Sequence, residues 1–80
     1  MTEAQVLAVI AEVARDHGLW DGALSRDLRL IEDLDLDSLK ALTLAVEVEN
    51  RFRVCLEPEI ETALTTVGDL VDTVRRELAP

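Results

Sequence analysis

The stretch Asp33-Leu34-Asp35-Leu36-Asp37-Ser38-Leu39, continuing into Lys40-Ala41-Leu42-Thr43-Leu44, decides how this chain is read. Asp37 carries a short carboxylate that can accept a hydrogen bond from a free N–H of the first helical turn, which makes it a good N-cap. Ser38 then falls on the first helical residue, and its hydroxyl is presented outward beside the positive end of the helix, where phosphate is attracted. An Asp-Ser-Leu triplet by itself is also an ordinary helix cap, so the surrounding residues have to decide between the two readings.

Downstream, the pattern predicts a helix from Ser38 to about Arg53 whose side chains sort into three arcs at ~100° per residue. Ala41, Leu44, Val48 and Phe52 form an apolar arc, and Lys40, Thr43, Glu47 and Asn50 form a solvated one. The third arc holds Ser38, Leu39, Leu42 and Val46 together with Glu49 and Arg53. Periodicity leaves two possibilities open. Either both apolar arcs are core in a helix flanked on two sides, or Leu39, Leu42 and Val46 are an exposed apolar group around the serine, of the kind that marks a contact surface.

Upstream, Thr2 and Gln5 are spaced as a capping box, and Val6, Val9, Ile10 and Val13 recur at helical intervals up to a stop at Gly18. From Leu19 to Leu36 the helical pattern lapses. Trp20-Asp21-Gly22 reads as a turn, while Leu24, Leu28, Leu30 and Ile31 are too apolar for a solvated linker. A connection of roughly twenty residues is long for a small domain, so these side chains are expected to pin it to the core. After the second helix, Val54-Cys55-Leu56 crosses over in extended form and Pro58 suits the start of a short helix through Thr62 or Ala63. Thr66 caps a last helix with the apolar stripe Val67, Leu70, Val71, Val74 and Leu78, and with Arg75 and Arg76 near its negative end. The expected fold is all-α, a bundle of three main helices plus one short helix with a long ordered loop between helices 1 and 2.

Eighty residues suit one small domain, 1–80, with a modest core and little room for an enclosed catalytic pocket. One Trp, one Phe and no Tyr make that core aliphatic. The 17 acidic against 8 basic residues give a formal charge of -9, which opposes a nucleic acid or an anionic membrane as partner and favours basic protein surfaces. The single Cys55 excludes an internal disulfide, so a reducing cytoplasmic setting is the default. The first residues show no basic region followed by an apolar run, and no stretch reaches membrane-spanning length.

The chemistry these residues could carry is limited. Asp33, Asp35 and Asp37 alternate like the opening of a calcium loop, but Ser38 stands where that loop needs Gly, and Leu44 where it needs a bidentate Glu. A hydrolase would need a base for Ser38. The only histidine, His17, ends the first helix, where a plain cap suits it, and no nucleophile elbow surrounds Ser25 or Ser38. Neither catalytic nor metal-ligating residues are therefore assigned. What remains is a serine without a base at a positive helix end, a hydroxyl suited to being acted upon by another protein.

From about Arg29 to Leu78 the chain resembles the acyl carrier proteins. Leu30-Ile31-Glu32-Asp33-Leu34 resembles the segment that precedes the family's attachment motif, Asp37-Ser38-Leu39 matches the motif itself, and Glu49 to Phe52, Val54, Leu56 and Thr65-Thr66-Val67 follow at the family's spacing. The resemblance implies a 4'-phosphopantetheine arm, from coenzyme A, on Ser38, with acyl intermediates held as thioesters. It implies Asp37 as motif residue and cap, and a second helix whose Leu39, Lys40, Leu42 and Val46 meet a phosphopantetheinyl transferase and the enzymes that load and transfer acyl groups. Three positions depart from the pattern: Asp35 where Gly is common, Lys40 directly after Leu39, and Thr43 where an acidic residue is usual. From Ser38 to Arg53, Lys40, Arg51 and Arg53 outnumber Glu47 and Glu49. That fits poorly with housekeeping fatty-acid synthesis, whose partners are expected to read an acidic helix. The expectation is a cytoplasmic, monomeric carrier without catalysis of its own, serving a polyketide-like or other specialised pathway. An aminoacyl or peptidyl carrier and an unmodified helical interaction module docking through Leu39, Leu42 and Val46 are the alternatives. A cation-responsive helical protein using the acidic run is a third.

Overall fold

In the computed structural model, which describes residues 2–56 and 63–78, three helices follow one another: α1 (Glu3–Asp16), α2 (Ser38–Phe52) and α3 (Val67–Leu78). Each begins where a side chain takes up a free backbone donor. Gln5 N–H donates to Thr2 Oγ1 at 3.2 Å and Thr2 N–H donates to Gln5 Oε1 at 2.8 Å, which completes the capping box of α1. Before α3 the device recurs with an aspartate. Asp69 N–H donates to Thr66 Oγ1 at 3.1 Å, while Asp69 Oδ2 accepts from the N–H groups of Thr66 and Thr65, both at 3.0 Å.

The helix ends are equally explicit. After α1, Gly18 takes φ +68, Leu19 N–H reaches Ala14 C=O at 2.8 Å and Gly18 N–H reaches Arg15 C=O at 3.1 Å, the two bonds of a Schellman motif. After α2 the left-handed position is filled by Arg53, at φ 57 and ψ 40, with Val54 N–H on Glu49 C=O at 3.1 Å.

The three helices close on one aliphatic core. Val6, Ile10, Val13 and Ala14 from α1, Leu44, Ala45 and Val48 from α2, and Val67, Leu70, Val71 and Val74 from α3 are all buried. Each fully buried Val, Leu or Ile contributes about 1.5–3 kcal/mol relative to exposure, so this shared core is what holds three individually marginal helices together. α1 packs against both other helices, and α2 and α3 also touch. Leu78 departs from the expected stripe: it is exposed at the last residue of α3, one turn beyond the buried Val74.

The long loop is pinned as expected, but by backbone as well as by side chains. Leu30, Leu34 and Leu36 are buried, and Leu19, Trp20, Leu24 and Leu28 pack partly against the core. Residues 26–30 also run beside the entry to α3: Leu30 N–H donates to Thr65 C=O (2.9 Å), Val67 N–H to Leu28 C=O (2.8 Å) and Gly68 N–H to Arg26 C=O (2.9 Å), with an antiparallel bridge between Arg29 and Thr66. Two otherwise orphan donors of α3 are thus satisfied by the loop. Ile31 corrects the sequence reading. It is 52% exposed, because the turn at Arg29–Leu34 directs Leu30 and Leu34 inward and leaves Ile31 on the outside. The short helix expected from Pro58 to Thr62 or Ala63 lies almost wholly outside the described residues.

Candidate functional site

The approach to α2 alternates. Leu34 and Leu36 are buried while Asp33, Asp35 and Asp37 are exposed, so two leucines fix the register in which Ser38 arrives at the helix. The turn is tied down further. Asp33 Oδ2 accepts from Arg29 N–H at 2.7 Å, Asp33 N–H and Leu34 N–H both donate to Arg29 C=O, at 2.9 and 3.1 Å, and Leu36 N–H donates to Leu30 C=O at 3.3 Å. The Arg29 backbone N–H, and secondarily its side chain, hold the Asp33 carboxyl below its ordinary pKa. Asp35 has φ 58, the left-handed region that Gly enters freely. The replacement of the commoner Gly by Asp therefore leaves the turn in a glycine-like conformation, which Asp tolerates better than most residues.

Asp37 is extended, at φ -85 and ψ 177, and its Oδ1 accepts from Lys40 N–H at 2.8 Å. Ser38 is the first residue of α2 and is exposed, so its hydroxyl stands in solvent at the positive helix end. Beyond it the apolar residues divide cleanly. Leu44, Ala45 and Val48 are 0–2% exposed, whereas Leu39, Leu42 and Val46 are 71%, 44% and 38% exposed. The helix has one core face and one apolar outer face, and the alternative of two buried arcs is not what the fold adopts. Thr43 is half-buried rather than solvated, its hydroxyl donating to Leu39 C=O at 2.9 Å.

His17 is more than a cap. Its Nε2 lies 3.2 Å from Glu47 Oε2, so it ties the end of α1 to the C-terminal half of α2. Glu47 lies nine residues along the helix from Ser38, about 14 Å at ~1.5 Å per residue, so this pairing holds the imidazole away from the serine. Arg51 makes a second tie, to Glu12 of α1. Pairings between distant elements such as these have no signature in local sequence. Cys55 is exposed. Among the described residues no group of three or more His, Cys, Asp or Glu side chains could hold a metal ion, and no helix is long and apolar enough to cross a membrane.

The site thus consists of an exposed hydroxyl on a capped helix start, reached through the buried Leu34 and Leu36 and followed by the exposed apolar residues Leu39, Leu42 and Val46. Comparison with known proteins gives the family. Residues 4–74 match the family model described as the phosphopantetheine attachment site. The chain is 37% identical over 71 residues to an acyl carrier protein of Arthrobacter sp. (strain FB24), covering 88% of each chain. It is 31% identical over 75 residues to that of Tropheryma whipplei (strain Twist), covering 92% of each. It is also 30% identical over 77 residues to the meromycolate extension acyl carrier protein of Mycobacterium leprae (strain TN), covering 95% of this chain and 67% of that one. The chain belongs to the acyl carrier protein family, whose members carry 4'-phosphopantetheine and act as carriers rather than catalysts.

Proposed function

We propose that Ser38 is the attachment point of the 4'-phosphopantetheine arm and that the chain acts as one cytoplasmic carrier unit for a specialised acyl pathway, polyketide-like in its chemistry. The observation that carries this reading is the exposed Ser38 hydroxyl on the first residue of α2, capped by Asp37. The site fits the group: its phosphodiester is anionic, and a helix N-terminus stabilises negative charge there by ~0.3–1 kcal/mol at an exposed position. When bound, the arm supplies the thiol on which acyl groups are held as thioesters. The protein's own residues do the rest. Asp37 fixes the first turn, Leu34 and Leu36 anchor the approach, and Leu39, Leu42 and Val46 give a phosphopantetheinyl transferase and acyl-handling enzymes an apolar surface to dock on. Support for a specialised pathway comes from the absence of acidic residues in the first turn of α2. It comes also from the name of one relative, which ties that protein to meromycolate extension.

The test is intact mass after incubation with coenzyme A and a broad-specificity phosphopantetheinyl transferase. The wild-type chain and Ser25→Ala should gain the mass of phosphopantetheine and Ser38→Ala should not. Gain by Ser38→Ala would remove the assignment, and no gain by any form would favour an unmodified helical interaction module. Loading assays with acyl against aminoacyl donors then separate an acyl carrier from an aminoacyl or peptidyl one.

A further inference from the structure

Lys40 is the only lysine of the chain, and it stands two residues after Ser38 on the first turn of α2. The arginines keep their guanidinium protonated and are no nucleophiles, so Lys40 brings the one side-chain amine. Its surroundings leave that amine free. Lys40 is exposed, and no ion pair with a described residue engages it. On a helix a cation pairs with acids three or four residues away. Those positions hold Leu36, Asp37, Thr43 and Leu44, and Asp37, the one acid among them, turns its Oδ1 to the Lys40 backbone N–H at 2.8 Å. Two turns further along the same arc, Glu47 is taken up by His17 at 3.2 Å.

Ser38 and Lys40 lie ~3 Å apart along the helix axis but ~200° around it, so their side chains do not face each other. Lys40 is therefore no partner for a group fixed at the serine oxygen. The end of a long flexible arm behaves differently. It sweeps the space around the helix start, and a group tethered in this way meets a nearby one at an effective concentration on the order of millimolar. The exposed thiol of Cys55 is a more distant nucleophile, past the far end of α2 and about 20 Å from Ser38 along the axis.

We infer that Lys40 is a self-acylation site, whose ε-amine takes the acyl group of a thioester held on the chain's own arm when no enzyme collects it. The inference rests on the reading of Ser38 as the attachment point. The deprotonated amine attacks the thioester carbonyl, a C–N bond forms and the C–S bond breaks. The sulfur leaves as thiolate and takes up the proton that the nitrogen gives up, so no oxidant, reductant or further reactant enters. The arm is left with a free thiol, ready to be loaded again. Lys40 becomes a neutral amide, and the first turn of α2 loses its only cation.

The test uses hydroxylamine, which strips thioesters and leaves amides. An acetyl-bearing arm is installed from acetyl-coenzyme A by a broad-specificity phosphopantetheinyl transferase, excess coenzyme is removed, and intact mass is followed on the wild-type chain and on Lys40→Arg. After hydroxylamine the wild-type chain should keep one acetyl group, placed on Lys40 by peptide fragmentation, and Lys40→Arg should keep none. Ser38→Ala, which has the lysine but no arm, is mixed with acetyl-loaded Lys40→Arg as the intermolecular control. At ~10 µM protein, a millimolar effective concentration makes transfer within a molecule about 100-fold faster than transfer in this mixture. A wild-type chain that carries the acetyl-bearing arm yet keeps no acetyl after hydroxylamine, or keeps it elsewhere than on Lys40, would overturn the inference alone. Equal rates in the mixture would overturn it as well, since the transfer would then owe nothing to the chain's own arm. Failure of the wild-type chain to accept the arm at all would overturn both the inference and the carrier reading.

Discussion

Gly68 donates its N–H to the carbonyl of Arg26 at 2.9 Å, and a Cβ placed on Gly68 would lie 2.9 Å from that same oxygen. The contact is with backbone, which cannot rotate aside, so the second residue of α3 must be glycine for the loop to approach this closely. Arg26 meanwhile bridges Glu3 of α1 and Asp72 of α3, the latter at 2.7 Å, so any shift of the loop also disturbs a tie between two helices. Gly68→Ala should therefore cost about 1–3 kcal/mol, as overpacking does, in urea melts. A variant as stable as wild type would show that the loop yields without loss.

Leu42 and Leu44 provide an internal comparison on one helix, 44% and 0% exposed. Leu44→Ala should lose about 2–5 kcal/mol, as buried Leu truncations do. Leu42→Ala should lose under about 1 kcal/mol yet slow arm attachment, since its side chain lies largely outside the core on the proposed docking face. Equal losses in denaturant would mean that Leu42 is closed over in solution.

Asp35 allows backbone strain to be separated from charge. Asp35→Gly and Asp35→Ala remove the same carboxylate, but only Gly adopts φ 58 freely. The Gly variant should exceed the Ala variant by about 1 kcal/mol in stability, the cost of a left-handed conformation at an ordinary residue. Identical melting curves would show that the turn relaxes in the Ala variant.

Acid stability follows from Asp69 and Asp33. The N–H groups of Thr66 and Thr65 hold the Asp69 carboxyl below its ordinary pKa, as Arg29 does for Asp33. A carboxyl depressed in the folded state contributes stability that is fully present above its unfolded pKa of about 3.9, and that is lost as pH falls through the lower folded value. Wild type should thus be more stable than Asp69→Asn at neutral pH, with the two converging as pH falls below about 4. A gap that persists at pH ~2 would assign the effect to hydrogen-bond geometry rather than charge.

Much of this architecture is legible in the sequence because helix starts and stops are local chemistry. Thr2 with Gln5, Asp37, Thr66 and Gly18 each act on donors or acceptors within a few residues of themselves, and each is found in the role its type implies. The two apolar arcs of α2 were undecidable on the same basis, since periodicity tells which residues share a face and not how many neighbours the helix has. Ile31 misled for a related reason: an apolar loop residue faces wherever the turn directs it. The pairing of the loop with Thr65 to Gly68 runs through backbone N–H and C=O groups that every residue carries, so it leaves no trace in composition or pattern. The same holds for His17 with Glu47, an ordinary helix-end residue and an ordinary surface acid until the fold brings them together. Of the candidate site, Ser38 and its cap could be read directly from Asp37-Ser38-Leu39, whereas the tie of Arg51 to Glu12 depended on the fold bringing α1 beside α2.

The pairing of the loop with the entry to α3 also sets an order of events during synthesis. The serine and its cap leave the ribosome before Thr65 to Gly68 exist outside it, so the segment leading to Ser38 has yet to meet the backbone partners that hold Leu30 and Leu28 in place. The hydroxyl is present early and its presentation comes late. With Ser38 as the proposed attachment point, modification is expected to wait for the finished fold, so that the arm goes only onto chains that have completed α3. A chain cut before Thr65 tests this directly: it should retain Asp37-Ser38-Leu39 intact and still be a poor acceptor of phosphopantetheine.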